Sequence, residues 1–174
     1  MSRPKVGAIG FFIAISLALS AIATFTKYWV ESYGLNEYSG TPVFGIGIVP
    51  YSTDNPTWFI ASSLMMYVAL GLFIPLILAY LHASYKVFHH GCCHGIRHSF
   101  HSISVLCTLI AILEITPFVL MAINASSYWG LWDNNVKVVS SKMGYSCYLA
   151  LAAGISALIT GSLSAHVSHH DCHY

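Results

Sequence analysis

Two stretches concentrate the chain's ligand chemistry. "HHGCCHGIRHSFH" at 89–101 and "HHDCHY" at 169–174 crowd imidazoles and thiols together. Imidazole nitrogen and thiolate sulfur are donors that zinc and copper favour. His89, His90, Cys92, Cys93, His94, His169, His170, Cys172 and His173 therefore hold enough donors for a tetrahedral Zn²⁺ or a Cu site. No C-x-x-C pair accompanies them, and a His/Cys-rich tract is a compositional signal, not a site. The same side chains can face water or lipid headgroups with no metal at all. A haem would need two imidazoles facing across a cavity, with His82, His101 and His166 as the candidates. Nothing in their spacing makes them converge, and no cofactor is expected.

Glu114 is the second chemical oddity, a carboxylate inside an apolar run and three residues before Pro117. A charge within a bilayer costs several kcal/mol unless it is paired or neutralised, about 2.5–3.5 kcal/mol even on insertion scales. Ser16, Ser20, Tyr67, Thr160 or the carbonyl freed by Pro117 could meet it. Either a neutral carboxyl sharing one hydrogen bond inside a bundle or a step in an ion path would explain it. A catalytic constellation does not emerge. The segments around Glu31 and Asp133 contain no histidine or cysteine, and Asp171 alone could orient a histidine at the other end. The chain is not expected to be an enzyme.

The elements that hold these residues follow from composition. Apolar residues make up 56% of the 174 and charged residues 7%, against roughly 25% charged in a soluble domain. That is the composition of a membrane protein, and the formal charge of +1 gives no electrostatic case for nucleic acid. About 20 apolar residues cross a bilayer as helix. Four stretches qualify, at 6–26, 58–81, 101–123 and 144–165, forming one tetraspan domain over 1–174. Outer loops at 27–57 and 124–143 and an inner loop at 82–100 connect them. Pro75 should bend the second span or leave a carbonyl seeking another partner. The first span follows Arg3 and Lys5 but is longer than a signal peptide's apolar region, so it is read as a retained helix.

An even number of spans places both termini on one side. Arg3, Lys5, Lys86 and Arg97 lie there, against Lys27, Lys137 and Lys142 opposite, a near balance by the positive-inside rule. All ten histidines join the termini side, whereas Glu31, Glu37, Asp54 and Asp133 lie opposite. The expectation is a multi-pass plasma-membrane protein with cytosolic termini.

The outer segments contain strand-like runs at 28–33, 42–49 and 136–139, which together predict a small antiparallel sheet beside the bundle. Tyr28, Trp29, Phe44, Tyr51, Trp129 and Trp132 are the aromatic candidates for contacting a partner there. Aromatic residues at span ends also anchor helices at the lipid-water boundary, the place expected for Tyr28 and Trp29. Cys92, Cys93 and Cys172 lie just inside the membrane, where reversible palmitoylation is chemically accessible. Cys107 and Cys147 are expected to be small buried residues. Asn124 begins a glycosylation sequon but sits flush with the third span. Small residues recur every four positions at Gly10, Ala14 and Ala18 and at Ala153, Ala157, Gly161 and Ala165, predicting close helix packing within the subunit.

The first span ending in small residues and Thr, followed by an aromatic-Trp pair ("ALSAIATFTKYWVESYG"), resembles the claudin superfamily. So does "MGYSCYLALAAGISALITGSLSAHV", which is similar to that family's fourth helix. The family includes claudins, peripheral myelin and epithelial membrane proteins, and claudin-like calcium-channel γ subunits. The resemblance implies a four-helix membrane bundle with a small extracellular sheet. It also implies a non-enzymatic role, as a junction or adhesion component or as an auxiliary channel or receptor subunit. The partners implied are membrane lipids, another membrane protein and a second copy of the chain. An oligomeric pore or transporter and a metal- or haem-binding protein are the alternatives. Two family features are missing: residues 27–57 contain no cysteine pair, and Gly130-Leu131-Trp132 falls in the second outer loop, not the first.

Overall fold

Apolar runs with few charges favour helix in a bilayer, because a helix satisfies every backbone N–H and C=O internally where water cannot. A computed structural model describes residues 3–34, 44–49, 55–90, 94–125 and 138–170. Among these residues the order is α1 (Arg3–Phe25), β1 (Val30–Gly34), β2 (Phe44–Ile46), α2 (Thr57–His90), α3 (His94–Asn124), β3 (Val138–Met143) and α4 (Tyr145–His170). All four helices are long and apolar enough to cross a membrane. Each packs on two neighbours: α1 on α2 and α4, and α3 on α2 and α4.

The expected inner loop at 82–100 is the main correction to the sequence reading. Helix α2 continues to His90 and α3 begins at His94. At 1.5 Å per residue, 34 residues extend about 50 Å, against about 30 Å of hydrocarbon. Hydropathy marks where a helix leaves lipid, whereas His, Tyr and Lys allow the helix itself to continue. Pro75 and Pro117 both lie inside these continuous helices.

The sheet forms, with β2 inside the expected run at 42–49 and β1 reaching one residue beyond the run at 28–33. Its order is β2-β1-β3, and both pairings are antiparallel. The third strand lies later than 136–139, and its register shifts opposite Tyr33 and Gly34. Glu31 faces Lys142 across β1 and β3, a cross-strand pairing of opposite charges that contributes about 0.2–1 kcal/mol. Because β1 comes from the first outer segment and β3 from the second, the sheet joins both to one support.

Two apolar clusters fill the bundle. Toward the termini, Ile9, Ile13, Phe73, Leu76, Phe100, Ile103 and Ile110 pack together. Near the sheet, Trp29, Val30, Ile48, Phe59, Met66 and Met121 form the second cluster. Between them lie the buried residues Ser16, Ser20, Glu114 and Ser156. Lipid tails are as apolar as leucine, so close packing and interhelical hydrogen bonds must hold this level together. Ser16 Oγ donates to the Ala153 carbonyl at 2.9 Å, and Ser156 Oγ donates to the Phe12 carbonyl at 3.2 Å. The two serines thus tie antiparallel α1 and α4 reciprocally.

The small-residue pattern divides between the helices. On α4, Ala153, Ala157 and Gly161 are buried, and a Cβ at Gly161 would lie 3.3 Å from Cys107 Cβ on α3. On α1 the expectation fails beyond Gly10, whose open side receives the Tyr80 ring; that hydroxyl donates to the Val6 carbonyl at 3.3 Å. Ala14, Ala18 and Ala165 are exposed instead. A four-residue repeat advances slightly beyond each helical turn, so a stripe read from spacing drifts around the helix.

At the start of α4 the backbone approaches so closely that a Cβ on Gly144 would collide with the Tyr28 carbonyl. Gly144→Ala should therefore lower stability by about 1–3 kcal/mol, the range for overpacking. Gly71, exposed on α2 with open space beside it, supplies the control: Gly71→Ala should be neutral or stabilising by about 0.5–1 kcal/mol. Thermal unfolding in one detergent compares the two, and equal losses would overturn the collision argument.

Candidate functional site

The outer joint is built around Trp29. Helix α1 ends at Phe25, leaving its last carbonyls without helical partners. Thr26 N–H returns to the Ile22 carbonyl at 3.1 Å, while Trp29 Nε1 donates to the Ala23 carbonyl at 2.7 Å. The indole therefore caps the helix that precedes it. Trp29 N–H donates to Ile46 O in β2 at 3.0 Å, and its carbonyl accepts from Gly144 N–H at 3.0 Å and Cys147 Sγ at 3.2 Å. Ser146 N–H donates to Tyr28 O at 3.1 Å, and the Thr26 and Ser146 hydroxyls lie 2.7 Å apart. One tryptophan joins α1, β2 and α4.

This arrangement corrects the expected role of Trp29 as an exposed partner contact or lipid-facing anchor. Its exposure is 0%, whereas Tyr28 is 39% exposed and stands against Tyr145 with ring centroids 5.1 Å apart. Trp29 closes the joint, and Tyr28 presents a surface. Spacing missed Gly144 and Ser146; a glycine directly before an aromatic-Ser-Cys helix start was the available signal. Tyr51, Trp129 and Trp132 lie outside the described residues, and Phe44 is described in its backbone only.

Glu114 is fully buried, and neither carboxylate oxygen has a hydrogen-bond partner among the described residues. Of the proposed partners, Ser16 donates to Ala153, Thr160 to Ser156 and Tyr67 to Ile48. The Ser20 hydroxyl remains, buried and likewise without a hydrogen-bond partner among the described residues. On the opposite side Gly154 leaves room, since a Cβ there would lie 3.5 Å from Glu114 Cβ and 2.9 Å from Ile115 Cγ1.

Among the described residues, no three His, Cys, Asp or Glu side chains form a group able to hold a metal ion. His89 is exposed with its ring 4.6 Å from Tyr85, and His169 is exposed on α4. His90, His94 and His170 are described without side chains, while Cys92, Cys93, Cys172 and His173 lie outside the described residues. His82, His101 and His166 are exposed. Cys107 and Cys147 are buried, as expected. The Asn124 amide, the group a glycan would modify, donates to the Leu120 carbonyl at 2.8 Å.

Two substitutions separate these environments. Trp29→Phe retains an aromatic ring but removes the N–H that caps Ala23, for an expected loss of about 1–3 kcal/mol. Trp29→Ala should cost about 3–5 kcal/mol; a neutral Trp29→Phe would show that the indole bond contributes nothing. Glu114→Gln should leave the melting temperature unchanged or raised, because no cationic partner is lost, whereas Glu114→Lys should lower it. A marked fall for Glu114→Gln would reveal an essential interaction of the carboxyl group.

The geometry describes a membrane bundle carrying a small outer sheet. A search of curated proteins finds no match. A family model described as "Tight junction protein, Claudin-like" matches residues 1–174. Matched along its whole length and carrying four membrane-length helices beside a three-stranded sheet, the chain belongs to the claudin-like tight junction protein family.

Proposed function

We propose that this chain is a non-enzymatic junction or adhesion component of the plasma membrane, with both termini cytosolic. The supporting observation is the joining of both outer segments into one sheet held to the bundle through Trp29. An adhesive surface must keep its shape away from the bilayer. Here β1 pairs with strands from both outer segments, and its supporting joint extends into α1 and α4. Tyr28 and Tyr145 supply exposed aromatic surface at the margin of that joint. In this reading Cys92 and Cys93 follow α2, and Cys172 follows α4, at positions where acyl chains would reinforce attachment to the cytosolic leaflet.

The expected behaviour is accumulation at borders between two expressing cells, with little at borders to non-expressing neighbours. Fluorescence imaging of the tagged full chain measures it, with tag accessibility to antibody in unpermeabilised cells reporting orientation. Trp29→Ala should reach the membrane yet lose border enrichment. A uniform distribution, together with native-membrane crosslinking that recovers the monomer alone, would overturn the proposal. Crosslinking to a channel or receptor subunit without border enrichment would instead identify an auxiliary subunit.

A further inference from the structure

A second candidate site lies at the opposite end of the bundle, near the first turns of α3 and the last turns of α4. Arg97, His98, His101, Ala165, Ser168 and His169 line a cavity of about 460 Å³. Their spacing explains the shared surface: Arg97 and His101 are four residues apart, as are Ala165 and His169, so each pair occupies one side of its helix. The Ser168 hydroxyl donates to the Arg97 carbonyl at 3.4 Å. Buried Phe100 and Val167 belong to the same apolar cluster and secure the two walls.

The described lining combines the permanent cation of Arg97 with imidazole and hydroxyl groups. Arg97 offers a planar fork of N–H donors suited to phosphate oxygens, while the imidazoles add donors around it. Ala165 leaves space between them. No carboxylate among the described residues lines the cavity. Among the described residues the acids are Glu31, in the outer sheet, and Glu114, thirteen residues along α3 from His101 and so about 20 Å away. Asp171, two residues beyond His169, lies outside the described residues.

Among the described residues the imidazoles do not converge as a three-ligand group for a metal, and a guanidinium always carries positive charge. The location selects among anions. The cavity lies at the ends of the candidate membrane spans Arg97–Asn124 and Tyr145–His169, where arginine and histidines replace the apolar residues and lipid headgroups would stand. Basic pockets between membrane helices bind phosphorylated headgroups through this combination of charge and depth.

We propose that this cavity binds a phosphate monoester carried on a lipid headgroup in the leaflet at the termini-side face. The acyl chains remain beside the helices while the phosphate enters between Arg97, His101 and His169. This assignment is independent of the junction role and of which compartment that face adjoins.

Native mass spectrometry of the purified full chain in detergent tests the assignment, with phosphatidylinositol bisphosphate and phosphatidylcholine as probes. The wild-type chain should retain the bisphosphate lipid preferentially. Arg97→Gln combined with His101→Gln should weaken retention about tenfold or more, the effect of losing a charge-assisted contact. His169→Gln, on the other wall, should weaken it separately, while Lys86→Gln on α2 should not. The altered lining side chains are exposed, so unchanged unfolding temperatures should establish intact folding. Equal retention of both lipids, or undiminished binding by the Arg97/His101 variant, would overturn the site. Inositol trisphosphate supplies the soluble arm: binding as tight as the lipid's would overturn the lipid source in favour of a soluble phosphate ester.

Discussion

The outer half of the molecule depends on the hydrogen bonds gathered at Trp29. Its indole caps α1 at Ala23, its amide begins pairing with β2, and its carbonyl receives Gly144 and Cys147 from the start of α4. Each bond contributes only about 0.5–1.5 kcal/mol net. Their convergence matters more, because disruption at one residue would expose several buried polar groups together. A cysteine pair could hold outer strands covalently, but residues 27–57 contain none. Here the constraint is a side chain turned back beneath the strand it introduces. Gly144 follows from that choice, since the Tyr28 backbone occupies the space any larger residue would require.

Below the joint, the bundle faces a different problem. Apolar side chains packed between helices gain little over the same side chains in lipid, so association requires close approach or hydrogen bonds. Gly154 and Gly161 allow α4 to approach α3, and the Ser16 and Ser156 hydroxyls connect α4 to α1. Glu114 lies between the two apolar clusters near this serine level. The bundle there is adapted to polar groups along the α1–α4 seam, yet the described partners leave the Glu114 carboxyl unsatisfied. Its burial distinguishes it from the exposed histidines, which can obtain hydrogen bonds from water or headgroups without drawing helices together.

How far the sequence was legible depended on what each signal measures. Hydropathy located four spans because a bilayer demands apolar length, but it stopped α2 near Leu81 and started α3 near His101. The actual ends, at His90 and His94, obey backbone hydrogen bonding rather than lipid solubility. Trp29 illustrates the same distinction. Tryptophan at a span end commonly faces the interface, and neighbouring residue types cannot reveal an indole turned inward to cap Ala23. For Glu114, composition offered several hydroxyls, but only packing showed Ser16, Tyr67 and Thr160 donating elsewhere and left Ser20 without a hydrogen-bond partner among the described residues. The histidine-rich strings suggested metal chemistry at the termini end, and most of their side chains lie outside the described residues. The grouping of Arg97, His98 and His101 with His169 required the separation between α3 and α4, which string density does not contain.

The two ends therefore use polarity in opposite ways. At the outer end, polar atoms are paired with one another, and Trp29 is buried so that the sheet has a defined attachment. At the termini end, Arg97, His98, His101 and His169 remain exposed around a cavity whose backbone walls are already packed. A paired polar group stabilises the fold by removing alternatives, whereas an exposed guanidinium such as that of Arg97 on a fixed wall can meet an external acceptor. Position separates these uses further: the lining residues lie at one end of the candidate spans of α3 and α4, whereas the outer joint organises strands beyond the opposite end of the helices. Rigidity and ligand access need not compete when the bundle places them at opposite faces of the bilayer.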